Sequence, residues 1–179
     1  MKTNSVNEEY LHSIKTNFEK YKVMGDKTFA QLEEKDFHYS LDEESNTIAV
    51  IIQHISGNLI SRFTGFLTSD GEKPNRNRDM EFKEQQLTQM QLIEKWNYSW
   101  KVLLDNLNNL TNVDLVKTIY IRKEAHSVID ALNRSLTHIA YHVGQIVFLA
   151  KHIKKDSWVT LSIPKAKSEE FNKTMNEKK

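Results

Sequence analysis

The chain has 179 residues, with 25 Lys and Arg against 24 Asp and Glu for a formal net charge of +1. That length suits one compact domain, and the near balance of charge argues against a broad basic surface for nucleic acid. There is no cysteine, so disulfides and thiolate metal ligands are both excluded.

Hydrophobic residues make up 39% of the chain, enough for one core. No apolar run approaches the roughly 20 residues of a membrane span. The opening MKTNSVNEEY lacks the apolar segment and small-residue cleavage site of a secretory signal, so a cytoplasmic location is expected. With only 5 Gly and 2 Pro, the composition favours long helices over many short strands.

The first segment, residues 6–34, carries Tyr10, Leu11, Ile14, Phe18, Tyr21, Met24, Phe29 and Leu32. Steps of three and four dominate, which is the helical period. Gly25 sits inside it at some cost in helix stability. The stretch DFHYSLDEESN reads as a connector, with Ser45 or Asn46 as the cap of the next helix. The second segment, residues 47–69, keeps a core row of Ile48, Ile52, Ile55, Leu59, Phe63 and Phe66, widened by Ile51. A loop follows, marked by Asp70-Gly71 and Pro74.

The third segment, residues 82–110, again shows helical spacing through Leu87, Met90, Ile93, Trp96, Trp100, Leu103, Leu104 and Leu107. Trp96 and Trp100 suit a core, or alternatively a pocket wall or dimer surface. Thr118–Ile121, β-branched and aromatic, is short enough to be an isolated extended piece. The fourth segment, residues 127–153, has the cleanest pattern: Ile129, Leu132, Leu136, Ile139, Val143, Ile146, Ala150 and Ile153. The Lys-rich tail is expected to fray after Ile163-Pro164. The whole reads as an all-α, up-and-down four-helix bundle, with residues 1–163 as the domain and 164–179 as a polar tail.

His138 and His142 are four apart on the fourth segment, hence one turn apart on one helix face. Two neutral imidazoles so placed can hold one metal ion, or can be half-buried and hydrogen-bonded to neighbours. His54, beside core Ile55, could meet them across the interior or be a satisfied core histidine. His152 is a full fourteen residues past His138, about 21 Å along a helix, too far to share an ion. His12 and His126 fall near ends or loops, and His38 lies in the connector. Gln145, Asn58, Tyr141 and Gln53 are candidates to orient the imidazoles, each also readable as a surface or helix amide or hydroxyl. Arg62, Arg76, Arg78 and Asp79 could line a pocket mouth for an anionic substrate, or form a solvated, internally paired loop.

The segments IAVIIQHISGN and THIAYHVGQIVFLAKHI resemble the DinB/YfiT-like superfamily of metalloenzymes. NLISRFTGFLTSDGEKPNRNRDMEF and WVTLSIPKAKSEEFN resemble one bacterial subgroup of it, DUF1572. The resemblance covers nearly the whole chain. It implies a four-helix bundle holding a divalent metal ion (zinc, nickel, manganese or iron) with one histidine of the second helix and an HxxxH pair of the last. Those are His54, His138 and His142 here. It also implies hydrolysis or transfer dependent on a low-molecular-weight thiol, and pairing into homodimers. Three protein ligands leave room for water or substrate, whereas closed structural zinc sites use four. The alternatives are a non-catalytic, metal-stabilised binding or stress-response protein and, more weakly, a DNA-associated one, which the charge disfavours.

Overall fold

The computed structural model describes residues 5–176. Its elements are α1 (Val6–Phe29), α2 (Glu34–Phe37), α3 (Ile48–Phe63), α4 (Arg78–Glu81), α5 (Gln89–Asn109), β1 (Thr118–Ile121), β2 (Glu124–Ser127), α6 (Val128–Lys154) and α7 (Ser168–Asn176). A 3-10 turn, Lys155–Ser157, follows α6. Each of the four periodic segments yields one long helix. Their bounds shift where local chemistry decides.

The first helix stops at Phe29, five residues short of the expected end, and the chain re-enters a short α2. The cap of α3 is Thr47, whose hydroxyl accepts from Val50 N; the expected caps Ser45 and Asn46 are not used. Helix α3 ends at Phe63, and Gly65 then takes a φ of 60° that turns the chain out of the helix. Helix α5 begins at Gln89 because Thr88 and Gln91 close a capping box there. The preceding residues go instead into α4 and an irregular stretch. Ser127 caps α6 by accepting from Asp130 N.

Thr118–Ile121 is extended, as its composition suggests, and pairs antiparallel with Glu124–Ser127. Arg122 and Lys123 form its two-residue turn with positive φ, the geometry that matches strand twist. Asp70 braces that turn by accepting from the N–H groups of Arg122 and Lys123 at 2.9 and 2.8 Å. The stretch expected to fray contains α7, none of whose residues is buried. Residues 177–179 lie outside the described ones.

Helix α3 is the central one: thirteen of its sixteen residues are buried, including Gln53, His54 and Arg62. A helix covered on all sides belongs inside a core. It packs against α5 and α6, while α1 packs against α6 and α5. Trp96 and Trp100 take the core alternative, both fully buried, with Trp96 Nε1 donating to Asp26 at 2.9 Å. Their rings are 5.1 Å apart, and Phe29 meets Trp96 edge-on at 5.2 Å.

Gly25 makes room for that cluster. A Cβ there would lie 2.5 Å from Trp96 Cζ2, and the indole has nowhere to go. Gly25→Ala is therefore expected to destabilise the protein by about 1–3 kcal/mol through overpacking. This outweighs the gain of up to about 1 kcal/mol in helix propensity. Urea denaturation reads the difference, and a stabilised variant would contradict it. No helix among the described residues is long and apolar enough to cross a membrane.

Candidate metal centre

His54 on α3 and His138 and His142 on α6 come together where these two helices pack. His54 and His142 are buried and His138 is half-buried. His54 Nε2 lies 3.1 Å from His138 Nε2, and His142 Nε2 lies 3.2 Å from the same atom. All three ligand atoms are within 4.8 Å of one another. Ligands about 2.1 Å from one ion sit about 3.0 Å apart at right angles and about 3.4 Å apart at the tetrahedral angle. The two short edges fall between those limits.

The outward nitrogens explain why the inner ones are bare. His54 Nδ1–H donates to Glu81 at 3.0 Å, and His142 Nδ1–H donates to the amide oxygen of Gln145 at 2.8 Å. A neutral imidazole carries one proton, so both Nε2 atoms then present lone pairs toward His138. One N–H from His138 cannot serve two acceptors well. A cation can serve all three, so this donor set fits a divalent ion.

Burial keeps His138 and His142 neutral. Burial, with the neighbouring His142 and His54, pushes His138 down to about 3. Burial pushes His142 down to about 4, against the hydrogen bond it donates to Gln145, which works the other way. Burial also opposes ionisation of Glu81, but hydrogen bonds from Arg76 and His54 outweigh it and hold the carboxyl below its usual range.

These shifts set a pH dependence. In the unfolded chain both histidines take up protons near the ordinary value of about 6.5, whereas in the fold they stay neutral to about 4 or below. Between those values the unfolded state binds more protons, so stability falls as pH is lowered through the window. Melting of chelator-treated protein at pH 7.5, 6 and 5 should show a stepwise drop. A flat profile would contradict it.

Of the other orienting candidates, Tyr141 OH accepts from Gln145 Nε2 at 3.1 Å and its ring packs on His142. Asn58 lines a cavity beside His54. Gln53 turns away and donates to Lys83 O. His38 is engaged by Glu84 and the Leu87 carbonyl, His126 by Asp130, and His152 faces Tyr39. None of these three joins the cluster.

Sequence reasoning missed Glu81. Its carboxylate takes two bonds from Arg76, at 2.7 and 2.8 Å, as well as that from His54. The side chain passes over Gly57, where a Cβ would lie 2.2 Å from Glu81 Oε1. Spacing links neither Glu81 nor Gly57 to a histidine on another helix. The one signal was the charge-dense RNRDME stretch, rich in groups that need partners. Arg62, Arg76 and Arg78 do line the cavity shared with His54 and His138, joined by Arg122 and Arg134, whereas Asp79 does not.

A protein-family model described as "Protein of unknown function (DUF1572)" matches residues 5–167. The chain belongs to this family. All three histidines, Glu81 and every arginine of the cavity fall within the span that defines it as a DUF1572 protein. No curated protein matches this DUF1572 chain.

Proposed function

We propose that His54, His138 and His142 bind one divalent metal ion and that the protein is a metal-dependent enzyme, a thiol-dependent transferase or a hydrolase. The observation that carries this reading is the convergence of three Nε2 atoms, two of them fixed as lone-pair donors by Glu81 and Gln145. Zinc, nickel, manganese and iron all accept such imidazole nitrogens. A bound ion with three protein ligands would lower the pKa of a thiol or water at an open position.

The chain's own residues narrow the chemistry. Glu81, the carboxylate at the cluster, is committed to Arg76 and His54 and so is not a free general base. That favours activation of a thiol, whose ordinary pKa is about 8.5, over a group needing stronger assistance. The same lack of a free base supports a second reading, a non-catalytic protein stabilised by its metal.

Within this proposal the four long helices are an up-and-down bundle of the DinB/YfiT-like superfamily. The protein is bacterial and cytoplasmic, acts on a small molecule with a low-molecular-weight thiol, and pairs as a homodimer. Residues 1–163 are its domain. Exposed Tyr141 and Phe148 on α6 support pairing through that helix. Metal-loaded wild type should turn over members of a panel of thiol–electrophile pairs and activated esters, and His142→Ala should not. Equal inactivity of both would remove the enzymatic reading. A large fall in melting temperature on chelation would then support the second.

A further inference from the structure

Five guanidinium groups, those of Arg62, Arg76, Arg78, Arg122 and Arg134, line one cavity of about 180 Å³ together with His54 and His138. They come from α3, α4 and its approach, the hairpin turn and α6, so the fold gathers them from positions far apart in sequence. Two carboxylates are bonded to them. Glu72 meets Arg62 at 3.0 Å, Arg122 at 3.1 Å and Arg76 at 3.4 Å, and Glu81 meets Arg76. Among the described residues Arg78 and Arg134 have no carboxylate partner. Arg78 is held over the Phe82 ring at 4.8 Å, and that ring packs 4.5 Å from His54. Arg134 is one turn before His138 on the same face of α6.

Clustering this many like charges is unfavourable, more so with the Arg62 and Arg76 side chains 8% and 5% exposed. Burial and the nearby Arg76 and Arg122 depress the Arg62 pKa against the pull of Glu72. The cluster persists because elements on every side hold it. Asp70 pins the hairpin turn that carries Arg122, and Arg62 donates to the Gly71 carbonyl. A preorganised set of planar, permanently charged donors is the usual recogniser of phosphate and carboxylate oxygens. The cavity is smaller than the several hundred Å³ typical of whole-ligand pockets, so it suits a head group.

We propose that this arginine cavity binds the doubly charged oxyanionic group of the substrate, a phosphate monoester or a pair of carboxylates, and presents the rest of the molecule to the histidine centre. This rests on the metal-centre reading for its second half only, since the anion is held by arginines.

The test is calorimetric titration with inorganic phosphate and with malonate at constant ionic strength. It uses chelator-treated and zinc-loaded wild type, an Arg78→Gln/Arg134→Gln double variant, and Lys101→Gln as a remote control. Both arginines are exposed, so the double variant should fold. The single Arg134→Gln variant replaces it if it does not. Wild type should bind at least one probe in both metal states, the double variant at least tenfold more weakly, and Lys101→Gln like wild type. Preference for phosphate identifies a tetrahedral head group, and preference for malonate paired carboxylates. No binding of either anion, or equal binding by wild type and the arginine variant, overturns the proposal. Anion binding by a protein that takes up no zinc, nickel, manganese or iron would overturn the metal reading and leave this one standing.

Discussion

Replacing Glu81 with alanine is expected to weaken metal binding by about 10- to 100-fold, the usual cost of removing the group that orients a ligating histidine. Three effects combine. His54 loses the acceptor that fixes its tautomer, so Nε2 is no longer held as a lone-pair donor. The ring loses its anchor against α4. The Arg76 guanidinium, its side chain 5% exposed, loses its two short bonds and keeps only Glu72 at 3.4 Å. Stranding a buried charge costs about 3–5 kcal/mol, and the surviving Glu72 contact puts the expected loss at the lower end. Competition with a chromogenic chelator reads the loss of affinity and urea denaturation the cost of the stranded Arg76. Glu84→Ala makes the control, because Glu84 bonds His38 and Thr47 away from the cluster. Unchanged affinity in Glu81→Ala would show that the carboxylate does not orient a ligand.

Gly57→Ala is expected to separate affinity from stability. The new methyl would fall 2.2 Å from Glu81 Oε1 and 2.6 Å from its carboxyl carbon. The obstacle is the end of a flexible side chain, so Glu81 can swing aside at little steric cost. Exchanging glycine for alanine inside a helix also adds about 0.5–1 kcal/mol. Glu81 cannot move and still reach His54. Metal affinity should therefore fall about tenfold or more, while the chelator-treated protein loses less stability than Glu81→Ala does, because the displaced carboxylate can stay paired with Arg76. Gly25→Ala should do the opposite, losing stability with metal affinity intact, because its obstacle is a buried indole packed against Phe29 and Trp100 and not against the histidines. Unchanged affinity in Gly57→Ala, or a stability loss as large as that of Glu81→Ala, would contradict this account of the close approach.

The long helices were legible because each buries a stripe with its own period. Ile129 through Ile153 on α6 and Ile48 through Phe63 on α3 repeat at three and four without interruption. Boundaries were less legible, since they follow capping groups and not the stripe. Thr88 with Gln91 starts α5 later than its apolar pattern begins, and Thr47 caps α3 in place of Ser45 or Asn46. The helix in the tail was hidden by composition, as α7 buries nothing and so writes no core stripe.

The histidines divide in the same way. His138 and His142 are paired by helical spacing alone. His54 needed the packing of α3 on α6, which spacing cannot supply and the family resemblance did. Arg62, Arg76 and Arg78 were expected at a pocket mouth and line one, whereas Glu81 and Arg122 escaped because their placement depends on tertiary contacts. Asp70 must brace the hairpin turn before Arg122 can face Arg62, and Gly57 must lack a side chain before Glu81 can reach His54. Both are tertiary contacts with no period in the sequence.

The most direct measurement is elemental analysis of protein purified without chelators and after loading, for wild type, His54→Ala and His138→Ala. The account predicts about one zinc, nickel, manganese or iron per wild-type chain, and loss of that ion in both variants while each remains folded. A folded wild type that carries no metal and takes up none of these four ions would contradict it.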